Sequence, residues 1–247
     1  MMAHKPTERV LHILLLLSGH PEGLSLTQIA EMLKIPKSTI SPILQEMVYQ
    51  NYLYIQTGQG LYFIGITTKT IALSYDPRKE KMPLIKAEMQ NITRQTGEIC
   101  QLGTLEGADV LYLLKEEPPQ AFGIQIISHV GKKLPAYCTA LGKALLAEIP
   151  LEGIRTLYPK GLIPQTAHTI TKFKVLEEQR HEILKSGIAY DGEEITPYLC
   201  CYATSLHIDG SNTLALSISM PIFRAEKEKV RLVKELLLEA KKRIEAK

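Results

Sequence analysis

An α+β protein in two parts is what the sequence predicts, and two observations carry that expectation. Within residues 1–75, three apolar stripes at helical spacing precede two short aromatic and β-branched runs around a glycine-containing turn. From residue 76 to 247, strand-like runs and amphipathic segments alternate in mixed order, which suits an antiparallel sheet flanked by helices. The length of 247 residues, 45% hydrophobic and 22% charged, allows one or two domains with a real core.

The first stripe is Val10, Ile13, Leu14 and Leu17, one face of a helix that ends at Gly19 to Gly23. In LSLTQIAEML, Ser25 is placed to cap a second helix, Gln28 completes a capping box, and Leu24 can staple onto Ile29, so that helix runs to about Leu33. After a turn over residues 34–36, Ile40, Ile43, Leu44, Met47 and Val48 make the third stripe, leaving Ser38, Ser41 and Gln45 on the wet face. YLYIQ, TGQG and LYFIG then read as a hairpin.

Three short helices followed by a two-stranded ribbon are the order of a winged helix-turn-helix, which lays its last helix in the major groove of double-stranded DNA. Short polar side chains at a helix start reach both phosphates and base edges. Thr27, Lys37, Ser38, Thr39, Ser41 and Gln45 are the candidates for that contact. Ser and Thr near a helix start also serve as plain caps. Five basic residues (Lys5, Arg9, Lys34, Lys37, Lys69) against four acidic ones (Glu8, Glu22, Glu31, Glu46) leave this part at only +1. Phosphate-driven affinity is then weak for one copy, so a dimer or tetramer is expected.

ITTKTIALSYDPRKEKMP continues helically, turns charged and meets Pro83, so the boundary is placed near residue 76. Beyond it the pattern predicts a helix over residues 84–96, a hairpin around EGAD, a strand over 123–128, a helix opened by Thr139, a short helix over 151–157, and a longer one over 173–185. CYATSLHIDG and NTLALSISMP form a strand pair, and residues 225–246 close the chain as a helix. Val230, Val233, Leu237 and Leu238 on that helix form a packing stripe. The start of the Thr139 helix offers N–H groups to a carboxylate, and Gly142 lets backbone approach a ligand. Ser217 and Ser219 share one strand face. Serines in strands often bond only to neighbours, Asp191 before Gly192 reads as a turn residue, and Cys201 as a small buried apolar group.

RVLHILLLLS, LSLTQIAEML, KSTISPILQEM and the hairpin ending in LYFIG resemble the winged-helix domain of IclR-type transcriptional regulators. LPAYCTALGKALLAEIP, GIAYDGEEITPYLCCYAT and LALSISMP resemble signatures of that family's second domain, so the likeness covers about residues 8 to 245. The resemblance implies a DNA-binding domain and the start of a linker helix over 1–75, and a GAF-like effector-binding domain over 76–247. It also implies an effector pocket lined by Ala140, Leu141, Asp191, Cys201, Ser217 and Ser219, a small organic acid as effector, and either sign of transcriptional control. The chain departs from the family at Pro42 and Cys200, where arginines are common, and at Tyr198, where glycine is usual. Pro42 lacks an N–H, so the third helix either begins at Ser38 or bends.

Other classes gain less support. Cys138 or Cys201 with His129, His168, His181 or His207 would make a cysteine-dependent enzyme, but no nucleophile motif surrounds either thiol. Cys200, Cys201 and His207 as a metal-binding sensor site fails because adjacent strand residues point to opposite faces. No cofactor is expected. Four cysteines without ordered spacing suit a reducing cytoplasm. The apolar run Val10 to Leu17 is too short to span a bilayer and is followed by no cleavage site, so no membrane partner is expected.

Overall fold

The computed structural model describes residues 4–56, 58–74, 80–119, 128–208 and 212–246. Backbone contacts divide the chain into Met1–Pro77 and Arg78–Lys247. Among the described residues no helix is long and apolar enough to cross a membrane.

In the first unit, α1 (Lys5–Ser18), α2 (Leu26–Leu33) and α3 (Lys37–Tyr49) pack around Ile13, Ile29, Ile40 and Leu44, all fully buried. Helix α1 starts ahead of Val10 because Pro6 pre-sets its first turn. The capping box of α2 is formed: Ser25 N–H donates to Gln28 Oε1 at 2.8 Å, and Gln28 N–H donates to Ser25 Oγ at 3.3 Å. The ribbon comprises β2 (Leu53–Gln56) and β3 (Leu61–Ile64), with Tyr54 stacked on Phe63 at 5.0 Å. A third strand, β1 (Leu24–Ser25), adds to β3 at Tyr62 and Leu61; two residues are too few to show a period. Helix α4 (Ile66–Ser74) follows and buries none of its residues.

Pro42 lies inside α3, whose first helical residue is Lys37, not Ser38. The carbonyl of Pro36 accepts from Ile40 N–H at 3.1 Å, so the bond that Pro42 cannot make to Ser38 is an interior rung of the ladder. The helix continues through it to Tyr49.

The second unit is a three-layer α/β/α arrangement. Its antiparallel sheet has six strands in the order β6-β5-β4-β9-β8-β7. These are β4 (Ile99–Glu106), β5 (Asp109–Glu116), β6 (Lys133–Pro135), β7 (Ala189–Gly192), β8 (Leu199–Ile208) and β9 (Asn212–Pro221). Helices α5 (Met82–Thr96) and α9 (Lys227–Glu245) cover one face, packing Ile85, Met89, Val233 and Leu237 onto Cys100, Leu102, Leu216 and Ile218. Of the α9 stripe, Val230, Val233 and Leu237 therefore meet the sheet-facing core, and Leu238 is not part of it. On the opposite face lie α6 (Ala140–Leu146), α7 (Leu151–Leu157) and α8 (Phe173–Ser186) over Val110, Ala203 and Ala215.

Period-2 alternation decides which residues face which layer. Cys100, Leu102, Cys200 and Ile218 point to α5 and α9, while Gln101, Cys201, Ser217 and Ser219 point the other way. Of the expected strand over 123–128, all but Ser128 lies outside the described residues, and Ser128 is not in a strand. Strand β7 replaces the turn expected at Asp191. Its four residues pair with β8 from Ala189↔Ala203 to Gly192↔Cys200.

Tyr198 sits at φ +64, the left-handed region where a side chain costs about 1–2 kcal/mol. Its N–H donates to Glu193 Oε1 at 2.7 Å, and the side chain is 72% exposed. Tyr198→Gly relieves the backbone and loses little packing. Set against the extra chain entropy of glycine, it is expected to stabilise the protein by about 0.5–1 kcal/mol in urea denaturation; unchanged or lower stability would contradict this account of the position.

Candidate functional site

A cavity of about 370 Å³, counting its open mouth, lies between the start of α6 and the sheet. The strand register builds its floor. Asp191, Cys201 and Ser219 stand in one row across β7, β8 and β9, and Ser217 pairs with Gln101 of β4. A hydrogen-bond chain crosses these rows: Cys201 Sγ lies 3.1 Å from Ser219 Oγ, Ser219 Oγ donates to Gln101 Oε1 at 3.1 Å, and Gln101 Nε2 donates to Ser128 Oγ.

Of the residues expected at an effector site, Ala140, Leu141, Asp191, Cys201, Ser217 and Ser219 all line this cavity. Gly142 does not. A Cβ there would lie 2.2 Å from Ala136 O and 2.3 Å from Ala136 Cα, so its bareness serves the contact between α6 and the preceding 3-10 turn, Ala136–Cys138. Its N–H is also taken, by the capping hydroxyl of Thr139 at 3.1 Å, which shortens the row of donors expected at this helix start. Sequence reasoning missed Gln101, Ser128, Tyr112 and Thr196 in the lining. One signal for Gln101 was present: it is a polar residue within the apolar run ICQLG.

Beside the cavity lies a buried charge cluster. The Lys143 side chain has no exposure, and its Nζ donates to Tyr190 O at 2.9 Å and to the Glu194 carboxylate, which is itself buried. Asp191 Oδ1 accepts the Glu194 N–H at 2.8 Å. Burial pushes the Asp191 carboxyl up to about 7, against the opposing pull of the Glu194 N–H and of Lys143. Thr169 Oγ1 donates to Glu194 O at 2.6 Å and fixes the loop that carries Glu194.

Burial likewise raises the Cys138 thiol to about 12 and the Cys201 thiol well above its ordinary value, so neither rests as a thiolate. Cys138 Sγ donates to Pro135 O, Cys201 pairs with Ser219, and His207 bonds Glu148 and Glu245. The Cys/His enzyme arrangement is therefore not assembled from these groups. Among the described residues no group of three or more His, Cys, Asp or Glu is placed to hold a metal ion. Cys200, on the face turned from the cavity, leaves the lining untouched by its departure from the family pattern.

On the first unit, Thr27, Lys37, Ser38 and Gln45 are exposed, while Thr39 and Ser41 are half-buried. The N-cap of α3 is Pro36, with no side-chain cap bond, so Ser38 and Thr39 are not spent as caps. None of the six side chains bonds another described residue.

Residues 6–56 match the IclR helix-turn-helix domain, and residues 79–246 match the bacterial transcriptional regulator IclR C-terminal domain. The HTH-type transcriptional regulator Rv1719 of Mycobacterium tuberculosis is 31% identical over 218 residues, covering 87% of this chain and 82% of that protein. An IclR transcriptional regulator from Alicyclobacillus acidocaldarius superposes with a TM-score of 0.87 at 23% identity, covering 99% of each chain. An IclR homologue from Microbacterium hydrocarbonoxydans, complexed with 4-hydroxybenzoate, gives 0.84 at 21% identity over 97% of this chain and 98% of that one. With both of its parts matched, the chain belongs to the IclR family of bacterial transcriptional regulators.

Proposed function

We propose that this regulator reads a double-stranded operator with α3, through Lys37, Ser38, Thr39, Ser41 and Gln45, with Thr27 of α2 at its flank. A small molecule held in the cavity beneath α6 sets how firmly the operator is gripped. The observation that carries the reading is the polar face of α3, exposed in its first turn yet without a capping duty. The small molecule acts by binding two arrangements of the protein with different affinity. The 4-hydroxybenzoate of the Microbacterium homologue supports a small effector in this fold.

A net charge of +1 on the reading unit favours two or more copies acting together. Leu11 and Leu15, one turn apart on α1 and 54% and 63% exposed, suit burial against a second copy. No catalysis is assigned, since the Cys138 and Cys201 thiols are held protonated, and the protein is placed in the cytoplasm, where free thiols persist.

Each good base contact is worth about 1–3 kcal/mol, so Ser38→Ala or Gln45→Ala is expected to weaken operator binding by roughly 5- to 150-fold in gel-shift titration. Effector affinity should stay unchanged in both. Ser219→Ala, which breaks the bridge between Cys201 and Gln101, is expected to do the reverse. Equal loss of both activities in any of the three would refute the division of labour.

A further inference from the structure

At the centre of the outward face of α3 stands a residue that does nothing for the fold. With 3.6 residues per turn, Ser38, Pro42, Gln45 and Tyr49 form one exposed stripe, opposite the buried Ile40, Leu44 and Met47. Pro42 therefore points almost straight away from the core, about 6 Å along the helix from Ser38 and about 4.5 Å from Gln45. Thr39 and Ser41 stand at the flanks, half-buried. Glu46, the one acidic residue of α3, accepts from Gln50 Nε2 at 2.8 Å.

A proline at this place destabilises the helix, because it lacks the N–H for the Ser38 carbonyl and its ring crowds that oxygen. In a first turn the loss would not matter, but Ile40 N–H already bonds Pro36 O at 3.1 Å, so Pro42 lies beyond that turn. The exposed ring adds no core packing in exchange and caps nothing. Local rules are broken in this way chiefly where a site needs the residue. The Pro42 ring carries no donor and no acceptor, so it can hydrogen-bond neither a phosphate nor a base edge. What it presents is a rigid apolar surface between two polar side chains, Ser38 and Gln45. In the major groove the bases offer one apolar group, the C5-methyl of thymine; the polar edges of the other bases would lose water against the ring and gain no bond.

Resting on the reading of α3 as the helix that contacts the operator, we infer that Pro42 is a specificity-determining residue, and that the operator carries a thymine whose C5-methyl packs on its ring. That thymine lies between the bases reached by Ser38 and by Gln45, since the spacings along the helix correspond to roughly one to two base-pair steps. Thr39 also carries a methyl group, but on the flank of the helix rather than at the centre of its outward face.

The test uses the full chain and a duplex that it selects from a random-sequence pool. Each thymine of that duplex is replaced in turn by deoxyuridine, which pairs in the same way and lacks only the methyl, and binding is followed by gel-shift titration. At the thymine under Pro42 the replacement should weaken binding about 4-fold, the effect of one buried methyl group. Pro42→Ser puts a hydroxyl in place of the ring and restores the missing N–H, so the variant is not at risk of unfolding. It should bind the thymine and deoxyuridine duplexes equally at that position and keep its response at every other. A stiffer helix alone would change binding to both duplexes by the same factor. If no thymine shows a methyl effect, the inference is overturned and the operator reading stands. A methyl effect that survives Pro42→Ser belongs to another side chain, Thr39 first among them, and overturns the inference as well. Enrichment of no duplex overturns the operator reading of α3, and the inference with it.

Discussion

Lys143→Met is expected to destabilise the carboxy-terminal unit by about 3–5 kcal/mol, because it leaves Glu194 as a buried charge without its partner. For a unit of this size that is a fall in Tm of roughly 6–20 °C. The ammonium also holds the carbonyl of Tyr190 at the edge strand β7, so fraying of β7 should accompany the loss. The pair itself contributes less than the break suggests, since the attraction between the two ions largely offsets the cost of desolvating both. Lys143→Met combined with Glu194→Leu is therefore expected to recover most of the lost stability, with a coupling of at least about 2 kcal/mol in the double-mutant cycle. If the single variant melts within about 2 °C of the parent, the ion pair is not the buried contact described.

Gly142→Ala is the second large effect, expected to cost about 3 kcal/mol or more. The added methyl would sit 2.2–2.5 Å from the oxygen, Cα and carbonyl carbon of Ala136. Those are backbone atoms of a buried 3-10 turn, which cannot swing aside as a side chain would. The whole of α6 must therefore shift, and every one of its residues is buried. Urea denaturation measures the cost. If the variant keeps full stability but loses effector affinity, the earlier expectation that Gly142 faces a ligand is restored.

The sequence made some elements legible and hid others for identifiable reasons. Ser25 and Gln28 act within one helical turn, and a local device leaves a local signature, so the start of α2 was readable to the residue. The C-terminal stops at Gly97 and Gly187, whose positive φ ends α5 and α8, are local in the same way: the pattern places the ends of these helices at residues 96 and 185, and they end at Thr96 and Ser186. Strand β7 was not readable, because Asp191-Gly192 carries a turn signal and its four residues gain strand geometry only by pairing with β8. Ser217 and Ser219 could be placed on one face by alternation alone. That Gln101 accepts from Ser219 depends on the pairing of β4 with β9, which brings together two residues 118 apart in sequence and which no local pattern encodes. Gly142 misled for the opposite reason: an unoccupied Cβ position looks the same in sequence whether a ligand or the chain's own backbone fills it.

The missing rung at Pro42 gives α3 unequal stiffness along its length. The tip ahead of it is tied back through Pro36 and the following carbonyl and anchored in the core by Ile40, whereas from Ile43 to Tyr49 the ladder is continuous and Leu44 and Met47 anchor its inner side. In the operator complex proposed above, the end of α3 that lacks this rung is expected to accommodate small changes in phosphate spacing more readily than the rest of the helix.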